Sequence, residues 1–277
     1  MNMPIYTACY CGALVYSSVG KLSSHSFFEN SINLILSNDD LQSLPVLITL
    51  SFASSNKNID LHGHMIVLNQ ADFFEIKQQL RQDKSITNIT LNRSALSFPF
   101  GTIDLNNARK WYPNALQSQK LSDKQCNFIT QLLHQKIQTL NNDMWLLSYQ
   151  KIKQLFEFYL KTHDMINLVK MLGLGIGLTP SGDDFLIGLY AATCIKKSLP
   201  IDMQLLLKKS AAATTSISQH FLQSAAHGFF SESLLAFNQL DLNSNEEQIK
   251  KSLENVLQKG ASSGLDTMLG YMSGLIC

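Results

Sequence analysis

The stretch Gly173-Leu-Gly-Ile-Gly-Leu-Thr-Pro-Ser-Gly-Asp-Asp-Phe-Leu-Ile-Gly188 leads a glycine-rich loop directly into the start of a helix. Thr179 is a residue type that caps helices, and Pro180 suits a first turn because no amide hydrogen is needed there. Asp183 and Asp184 follow at positions where the peptide dipoles favour negative charge. These signals agree on a helix start, and the apolar run that follows predicts that the helix lies at the centre of its domain.

The loop before this helix has glycines at alternate positions, which let backbone amides approach an anion or adopt positive φ. It is not a Walker loop, since no Gly-Lys-Ser/Thr follows, and its third glycine comes one residue too early for a dinucleotide-binding fingerprint. The alternative to an anion site is a tight connection between two helices, and the spacing alone favours neither. The residues predicted here to bind an anion are Gly175, Gly177, Thr179, Ser181 and Gly182.

A second stretch, Ser263-Gly264-Leu265-Asp266-Thr267-Met268-Leu269-Gly270, has Ser, Gly, Asp and Gly at the same offsets as residues 181–188. In each stretch the aspartate and the later glycine share one helix face. If the two helices cross in parallel there, with Gly188 near Gly270, both positive N-termini converge on one anion site that includes Ser263 and Gly264. Chance or packing alone is the alternative explanation of the repeat.

Composition narrows the class of protein. The chain has 277 residues, of which 45% are hydrophobic and 16% charged, enough for one large domain or two modest ones. A formal net charge of +1 and three arginines argue against a nucleic-acid surface. The five cysteines are odd in number and lack metal-ligand spacing, which indicates reduced thiols in the cytoplasm. We find no signal peptide and no membrane segment in the sequence.

The hydrophobic patterns predict an α+β fold, with a β-rich domain over residues 1–115 followed by an all-α helical domain over residues 116–277. In the first domain, one helix at 71–82 should cover one side of a sheet. Cys9 and Cys11 lie in an alternating stretch that predicts both thiols on one face of a strand. The predicted β runs are 13–18, 31–36, 45–52, 59–68 and 86–91, with turns at 37–40 and 54–58.

In the second domain, capping boxes are predicted at Ser122 and Ser244. Helices follow at 143–160, 163–172, 180–194 and 201–210, another opens at 211, and the last begins at Ser263. Leu147, Ile152, Leu155, Phe156 and Tyr159 form the predicted core stripe of the second helix. Thr214 and Thr215 offer hydroxyls at a helix start, where an anion contact and an ordinary cap are equally good explanations.

Arg109 lies where the two predicted domains meet, in Ala-Arg-Lys-Trp-Tyr-Pro. A guanidinium can bind phosphate or carboxylate through two parallel hydrogen bonds, or stack on an aromatic ring such as that of Trp111. We expect Arg109 to reach the edge of the anion site, since it is the arginine closest to the junction.

The run from Gly175 to Gly188, with the pattern GxGLTPSGDDFLxG, resembles the signature of a bacterial family whose characterised branch is the oxamate carbamoyltransferase subunit AllH. Further similar features are His25-Ser-Phe-Phe28, Ala108-Arg109, Trp111-x-Pro113, Thr214-Thr-Ser-Ile-Ser218, Gly260 and Ser263-Gly264-x-Asp266. The chain departs from the family at Ile176, where proline is common, at Ala261-Ser262, which replaces His-Thr, and at Ser55-Asn-Lys-Asn58, which lacks glycines.

The resemblance implies a subunit of a multi-subunit, cytoplasmic enzyme of anaerobic allantoin degradation, a branch of purine catabolism. The implied reaction interconverts oxalurate plus phosphate with oxamate plus carbamoyl phosphate, so the implied partners are phosphate, carbamoyl phosphate, oxamate and other subunits. Such a reaction needs acceptors for amide hydrogens, and Asp183, Asp184 and Asp266 are the candidates. The Ser-Thr-Arg-Thr motif of common transcarbamylases is absent, so the site is built differently or completed by a partner.

Two alternatives stay open at this stage. The chain could be a non-catalytic module that binds a small acid and regulates or scaffolds its partners. We expect no metal and no cofactor, although Asp183 and Asp184 could together hold Mg²⁺ with several waters, and dipole capping is the commoner use of such a pair.

Overall fold

The structure is a computed structural model that describes residues 3–37, 44–53, 59–83, 86, 88–117, 121–196 and 199–276. Contacts divide the chain into two units, Met1–Pro113 and Asn114–Cys277. All of the described strands lie in the first unit, and the second consists of helices and their connections. The predicted α+β fold class is therefore confirmed.

The first unit is one sheet of nine described strands, in the order β5-β4-β3-β2-β6-β7-β8-β1-β9. An additional pairing of β1 with β5 closes eight of these strands into a ring. The β1–β8, β1–β9 and β4–β5 pairs are parallel, and the other pairs are antiparallel. The strands are β1 (Ile5–Gly12), β2 (Gly20–Phe27), β3 (Ser31–Leu36), β4 (Leu47–Phe52), β5 (Met65–Leu68), β6 (Ile89–Leu91), β7 (Ala95–Phe98), β8 (Gly101–Asp104) and β9 (Arg109–Trp111).

One helix, α1 (Gln70–Gln82), packs against this sheet. Its N-cap is Asn69, whose side chain accepts a hydrogen bond from the Asp72 amide. Phe73, Ile76 and Leu80, spaced three and four residues apart, are buried and join the main hydrophobic core of the first unit. The predicted helix and its role of covering the sheet are confirmed.

Three predictions in the first unit are wrong. Of the strand expected at 59–68, only Met65–Leu68 forms as β5. The other two concern the neighbourhood of β1. Residues 13–18 were expected to form a strand, but Ala13–Ser17 is a 3-10 helix, and its Leu14 amide donates to Gly63 O at 2.9 Å. Cys9 is exposed and Cys11 is buried, since an irregular register between Ala8 and Tyr10 breaks the alternation of faces. The predicted turn at 54–58, with Ser55-Asn-Lys-Asn58, and positions 38–40 of the other turn lie outside the described residues.

The second unit contains nine described helices. The capping box at Ser122 is confirmed, with Gln125 as its partner, whereas the box predicted at Ser244 forms one residue later, with Asn245 and Gln248. The helices are α2 (Asp123–Thr139), α3 (Asp143–Thr162), α4 (Ile166–Val169), α5 (Ser181–Lys196), α6 (Met203–Ala213), α7 (Ser216–Ala226), α8 (Glu232–Asn238), α9 (Glu246–Leu257) and α10 (Ser263–Ile276).

The core stripe of α3 differs from the predicted one at its first position. Leu147 is 61% exposed, and Trp145, two residues earlier, is buried together with Ile152, Phe156 and Tyr159. The break between α6 and α7 also lies later than predicted, at Thr214 and Thr215. Helix α8 was not predicted.

Helices α5 and α10 form the closest pair in the second unit. A Cβ atom on Gly188 would lie 1.9 Å from Thr267 O, and one on Gly270 would lie 2.0 Å from Phe185 O. Further along, a Cβ on Gly274 would lie 2.7 Å from Ala192 Cβ. The contacts advance in the same direction along both chains, so the helices cross in parallel, and the predicted contact between the two repeated stretches is confirmed.

Replacing Gly188 or Gly270 with alanine should therefore destabilise the second unit. Each added methyl group would overlap a backbone oxygen of the other helix, and we expect a loss of about 1–3 kcal/mol in the free energy of unfolding, as for other overpacked cores. Urea unfolding followed by circular dichroism measures this loss. Gly274→Ala is the matched control with a smaller expected loss, because its methyl would lie 2.7 Å from Ala192 Cβ and so overlap less than at Gly188 or Gly270. Equal stability of all three variants and the wild type would contradict the packing described.

Candidate functional site

The glycine-rich loop before α5 is held open to solvent. Gly173, Gly175 and Gly177 have φ values of +72°, +121° and +98°, a region that side chains rarely allow, so the pattern of alternate glycines is a backbone requirement. Within the described residues, the amides of Gly175, Gly177, Thr179 and Ser181 donate no hydrogen bond. These four amides, all in the segment predicted to bind an anion, are free to meet a ligand.

The glycines of the two Ser-Gly turns do not share this freedom. The Gly182 amide donates to Leu174 O at 2.8 Å, and the Gly264 amide donates to Lys259 O at 3.0 Å. A Cβ on either glycine would lie 2.0 Å from a carbonyl oxygen in the preceding segment, Met171 O or Val256 O. The prediction that these two amides bind an anion is therefore not supported. Both glycines instead let the helix starts pack tightly against the chain before them.

The starts of α5 and α10 are tied together by a reciprocal exchange of side chains. Ser263, at the start of α10, is hydrogen-bonded to Asp184 of α5. Ser181, at the start of α5, is hydrogen-bonded to Asp266 of α10. The parallel crossing thus brings both serines and both aspartates of the repeated pattern into one cluster, as the repeat predicted.

Both aspartates of this cluster are buried, and each keeps one oxygen without a partner. Asp184 is 5% exposed and Asp266 is 1% exposed. Asp184 Oδ2 and Asp266 Oδ2 make no hydrogen bond to any residue that the structure describes. An unsatisfied buried carboxylate oxygen is unfavourable, so a proton or a ligand with hydrogen-bond donors is expected at this point.

The environment changes the acidity of both groups. Burial raises the pKa of Asp184 well above its usual value, the hydrogen bond from Ser263 opposes that rise, and the nearby charge of Asp266 adds to it. Burial likewise raises the pKa of Asp266 to about 6, against opposing hydrogen bonds from Trp145 and Ser181. Two neighbouring acids with raised pKa values can hold a proton near neutral pH, which ordinary aspartates cannot.

Trp145 is a site residue that was not predicted from the sequence. Its Nε1 donates to Asp266 Oδ1 at 2.8 Å, which fixes one oxygen of that carboxylate. The Tyr149 ring stacks on Trp145 with centroids 5.2 Å apart. A buried tryptophan needs an acceptor for its single N–H, so its place on the core stripe of α3 was the available signal.

Asp183 lies apart from this cluster of acids and binds the loop. Its side chain is fully buried, and its carboxylate accepts hydrogen bonds from the Gly173 amide, at 3.0 Å, and from the Thr214 hydroxyl. Thr215 caps α7 by accepting from Ser218 N at 3.1 Å, and its hydroxyl donates to Leu178 O at 2.5 Å. Through these contacts Asp183, Thr214 and Thr215 fasten the glycine loop, and their catalytic and anion-binding roles stay predictions.

Two further predictions concern Arg109 and a possible Mg²⁺ site. Arg109, in the first unit, is exposed and lies 5.9 Å from the Tyr10 ring centroid, and its approach to the site stays a prediction. The alternative of Mg²⁺ on Asp183 and Asp184 stays a prediction; each oxygen of Asp183 accepts one hydrogen bond. In the described part of the chain, no group of three or more His, Cys, Asp or Glu residues could hold a metal.

Comparison with known protein families gives one match. The sequence model described as oxamate carbamoyltransferase subunit AllH matches residues 171–275. The resemblance to AllH is confirmed. The match is shorter than half of the chain, but it contains the glycine loop, α5 and nearly all of α10. No solved structure matches the chain. Among the described helices, none is both long and apolar enough to cross a membrane.

The pKa of Asp266 gives a test of the cluster. Because it is about 6 in the folded protein and about 4 in an unfolded chain, the folded state keeps a proton at pH 5 that the unfolded state has lost. This contribution to stability is complete below about pH 4 and is lost as the pH rises through 6.

Asp266→Asn cannot ionise, so its free energy of unfolding should rise relative to the wild type by about 2–3 kcal/mol between pH 4 and pH 7. Urea unfolding of both proteins at several pH values measures the difference. Asp143→Asn, at an exposed position in the first turn of α3, is the control and should follow the wild type. Parallel pH curves for Asp266→Asn and the wild type would contradict an ionisation buried in this cluster.

Proposed function

We propose that the chain is a subunit of an oxamate carbamoyltransferase, and that the cluster at the starts of α5 and α10 takes part in converting oxalurate and phosphate to oxamate and carbamoyl phosphate. The match over residues 171–275 supports the family role. The observation that carries the assignment of the site is the pair of buried carboxylate oxygens, Asp184 Oδ2 and Asp266 Oδ2, that lack partners within the described chain. They are acceptors suited to the N–H groups of a carbamoyl or carboxamide ligand.

The reaction sets three requirements for its active site. A phosphate oxygen attacks the ureido carbonyl carbon of oxalurate, forming a C–O bond, and the bond from that carbon to the oxamate nitrogen breaks. The proton of the hydrogen phosphate ends on the oxamate nitrogen. The site must therefore hold phosphate, orient the amide hydrogens and move one proton.

The described groups fit these tasks in the proposal. The free amides between Gly175 and Ser181, at a helix start, favour the negative charge of phosphate. Asp266, held by Trp145, accepts from the carbamoyl N–H₂. Asp184, with its raised pKa, relays the proton between phosphate and the leaving nitrogen.

The proposal includes the setting that the family resemblance implies. The chain would work with other subunits of the carbamoyltransferase, in the cytoplasm, in anaerobic allantoin degradation. A partner subunit would supply any group that this chain lacks, and the prediction that no metal or other cofactor is required belongs to the proposal.

A second function, non-catalytic binding of a small acid, is favoured by the loop alone. Its free amides would hold an anion without any chemistry. The two functions differ in what the aspartates do, because a binding module needs no group that moves a proton.

In the assembled complex, Asp184→Asn and Asp266→Asn should each lower turnover by about 100-fold or more, the scale typical of proton transfer and oriented acceptors. Binding of phosphate should change far less, because the loop amides are unaltered. Phosphate-dependent cleavage of oxalurate measures the first quantity, and calorimetric titration with phosphate measures the second.

Asp143→Asn is again the matched control and should keep full turnover. Full activity of both site variants in the complex would show that the aspartates only cap their helices. The second function, non-catalytic binding of a small acid, would then be favoured. Loss of phosphate binding together with turnover would point instead to a damaged loop.

A further inference from the structure

We propose that Lys259 is the cation of this site and binds the anionic group of the ligand whose N–H groups meet Asp184 and Asp266. The inference rests on the proposed function for the ligand, but it concerns a residue for which the family motif carries no role. It gives the second unit a cation of its own, whereas the sequence indicated Arg109 of the first unit.

The backbone of Lys259 is fastened to the start of α10. Its amide donates to Val256 O at 3.1 Å, and its carbonyl accepts from the Gly264 amide at 3.0 Å. Gly264 follows Ser263, whose side chain is hydrogen-bonded to Asp184. The backbone of Lys259 therefore lies beside one of the two helix starts that form the cluster.

The side chain of Lys259 is partly buried and lies against α7. Its Nζ lies 5.7 Å from the ring centroid of Phe221, a residue of α7, which limits the directions in which the ammonium group can extend. Burial raises the pKa of Asp184, and the positive charge of Lys259 lowers it. Among the groups that shift the pKa of Asp183, Asp184 or Asp266 in the described chain, Lys259 is the one cation.

A cation is needed because the aspartates alone would repel the ligand. Phosphate and oxamate are anions, and an ionised Asp266 near neutral pH opposes their entry. A lysine ammonium is a compact charge that binds phosphate well and rotates to reach it. With Lys259 at one end and the two free carboxylate oxygens at the other, the site would select a small ligand that is anionic at one end and carries N–H groups at the other.

The test uses Trp145 as a reporter of ligand binding in the full-length chain. The sequence has two tryptophans, so Trp111→Phe leaves Trp145, whose Nε1 is bonded to Asp266, as the one source of tryptophan fluorescence. Three probes separate the two ends of the ligand. Oxamate has an anionic end and an N–H end, whereas oxalate and inorganic phosphate are anions without N–H groups. Each is titrated into the Trp111→Phe protein and into the variants made in it.

Lys259→Met should weaken the binding of oxamate and of phosphate by about 10- to 100-fold, the range for a lost charge-assisted hydrogen bond. Lys259→Arg should recover most of this loss, because it keeps the charge. Asp266→Asn should weaken the binding of oxamate but not the binding of phosphate or oxalate. Lys251→Met, at an exposed position of α9, is the matched control and should bind all three probes as the parent does.

A second measurement does not depend on a variant folding. Acetylation of lysines followed by mass spectrometry should show that phosphate and oxamate protect Lys259 and leave Lys251 reactive. Unchanged binding by Lys259→Met, or no protection of Lys259 while the parent binds its probes, would overturn the role of Lys259 alone. Failure of the parent to bind oxamate or phosphate at millimolar concentration would overturn the proposed function as well.

Discussion

The close crossing of α5 and α10 is the contact on which the rest of the second unit depends. At Gly188 and Gly270 each helix meets a backbone oxygen of the other, a separation that no side chain allows. Because the crossing is parallel and lies within the first two turns of both helices, it brings the two N-termini together. Two sets of partial positive charge then act on one small volume, each worth up to ~2 kcal/mol for a partly buried anion.

Such a volume would suit any anion, and the chain fills it with two aspartates of its own. The reciprocal hydrogen bonds between Ser263 and Asp184, and between Ser181 and Asp266, satisfy part of each carboxylate. Burial still raises the pKa of both groups, so the helix dipoles and serines do not fully offset desolvation. The result is a pair of neighbouring acids whose pKa values are both raised, which is the property that the proposed proton transfer would use.

The sequence predicted these parts to different extents, for physical reasons. The repeated Ser-Gly-x-Asp start and its later glycine predicted the helix contact, because close crossing demands small residues at fixed spacing. The same pattern misassigned Gly182 and Gly264, since a glycine needed for packing and one needed for a free amide look alike in sequence. Trp145 was missed because its partner, Asp266, is distant in the chain, and a hydrogen bond of that kind leaves no local pattern.

The asymmetry between the two repeats accounts for the layout of the site. At equivalent positions α5 has Asp183 and α10 has Leu265, and both are buried. Asp183 fastens Gly173 and with it the loop of free amides, so that the α5 side offers neutral donors. The chain before α10 has no such loop and turns directly from α9 through Lys259, which offers a charge instead. The two halves, alike in their Ser and Asp pairs, thus differ in the groups that lie beside the cluster. If the cluster binds the proposed ligand, this difference would hold that ligand in one orientation.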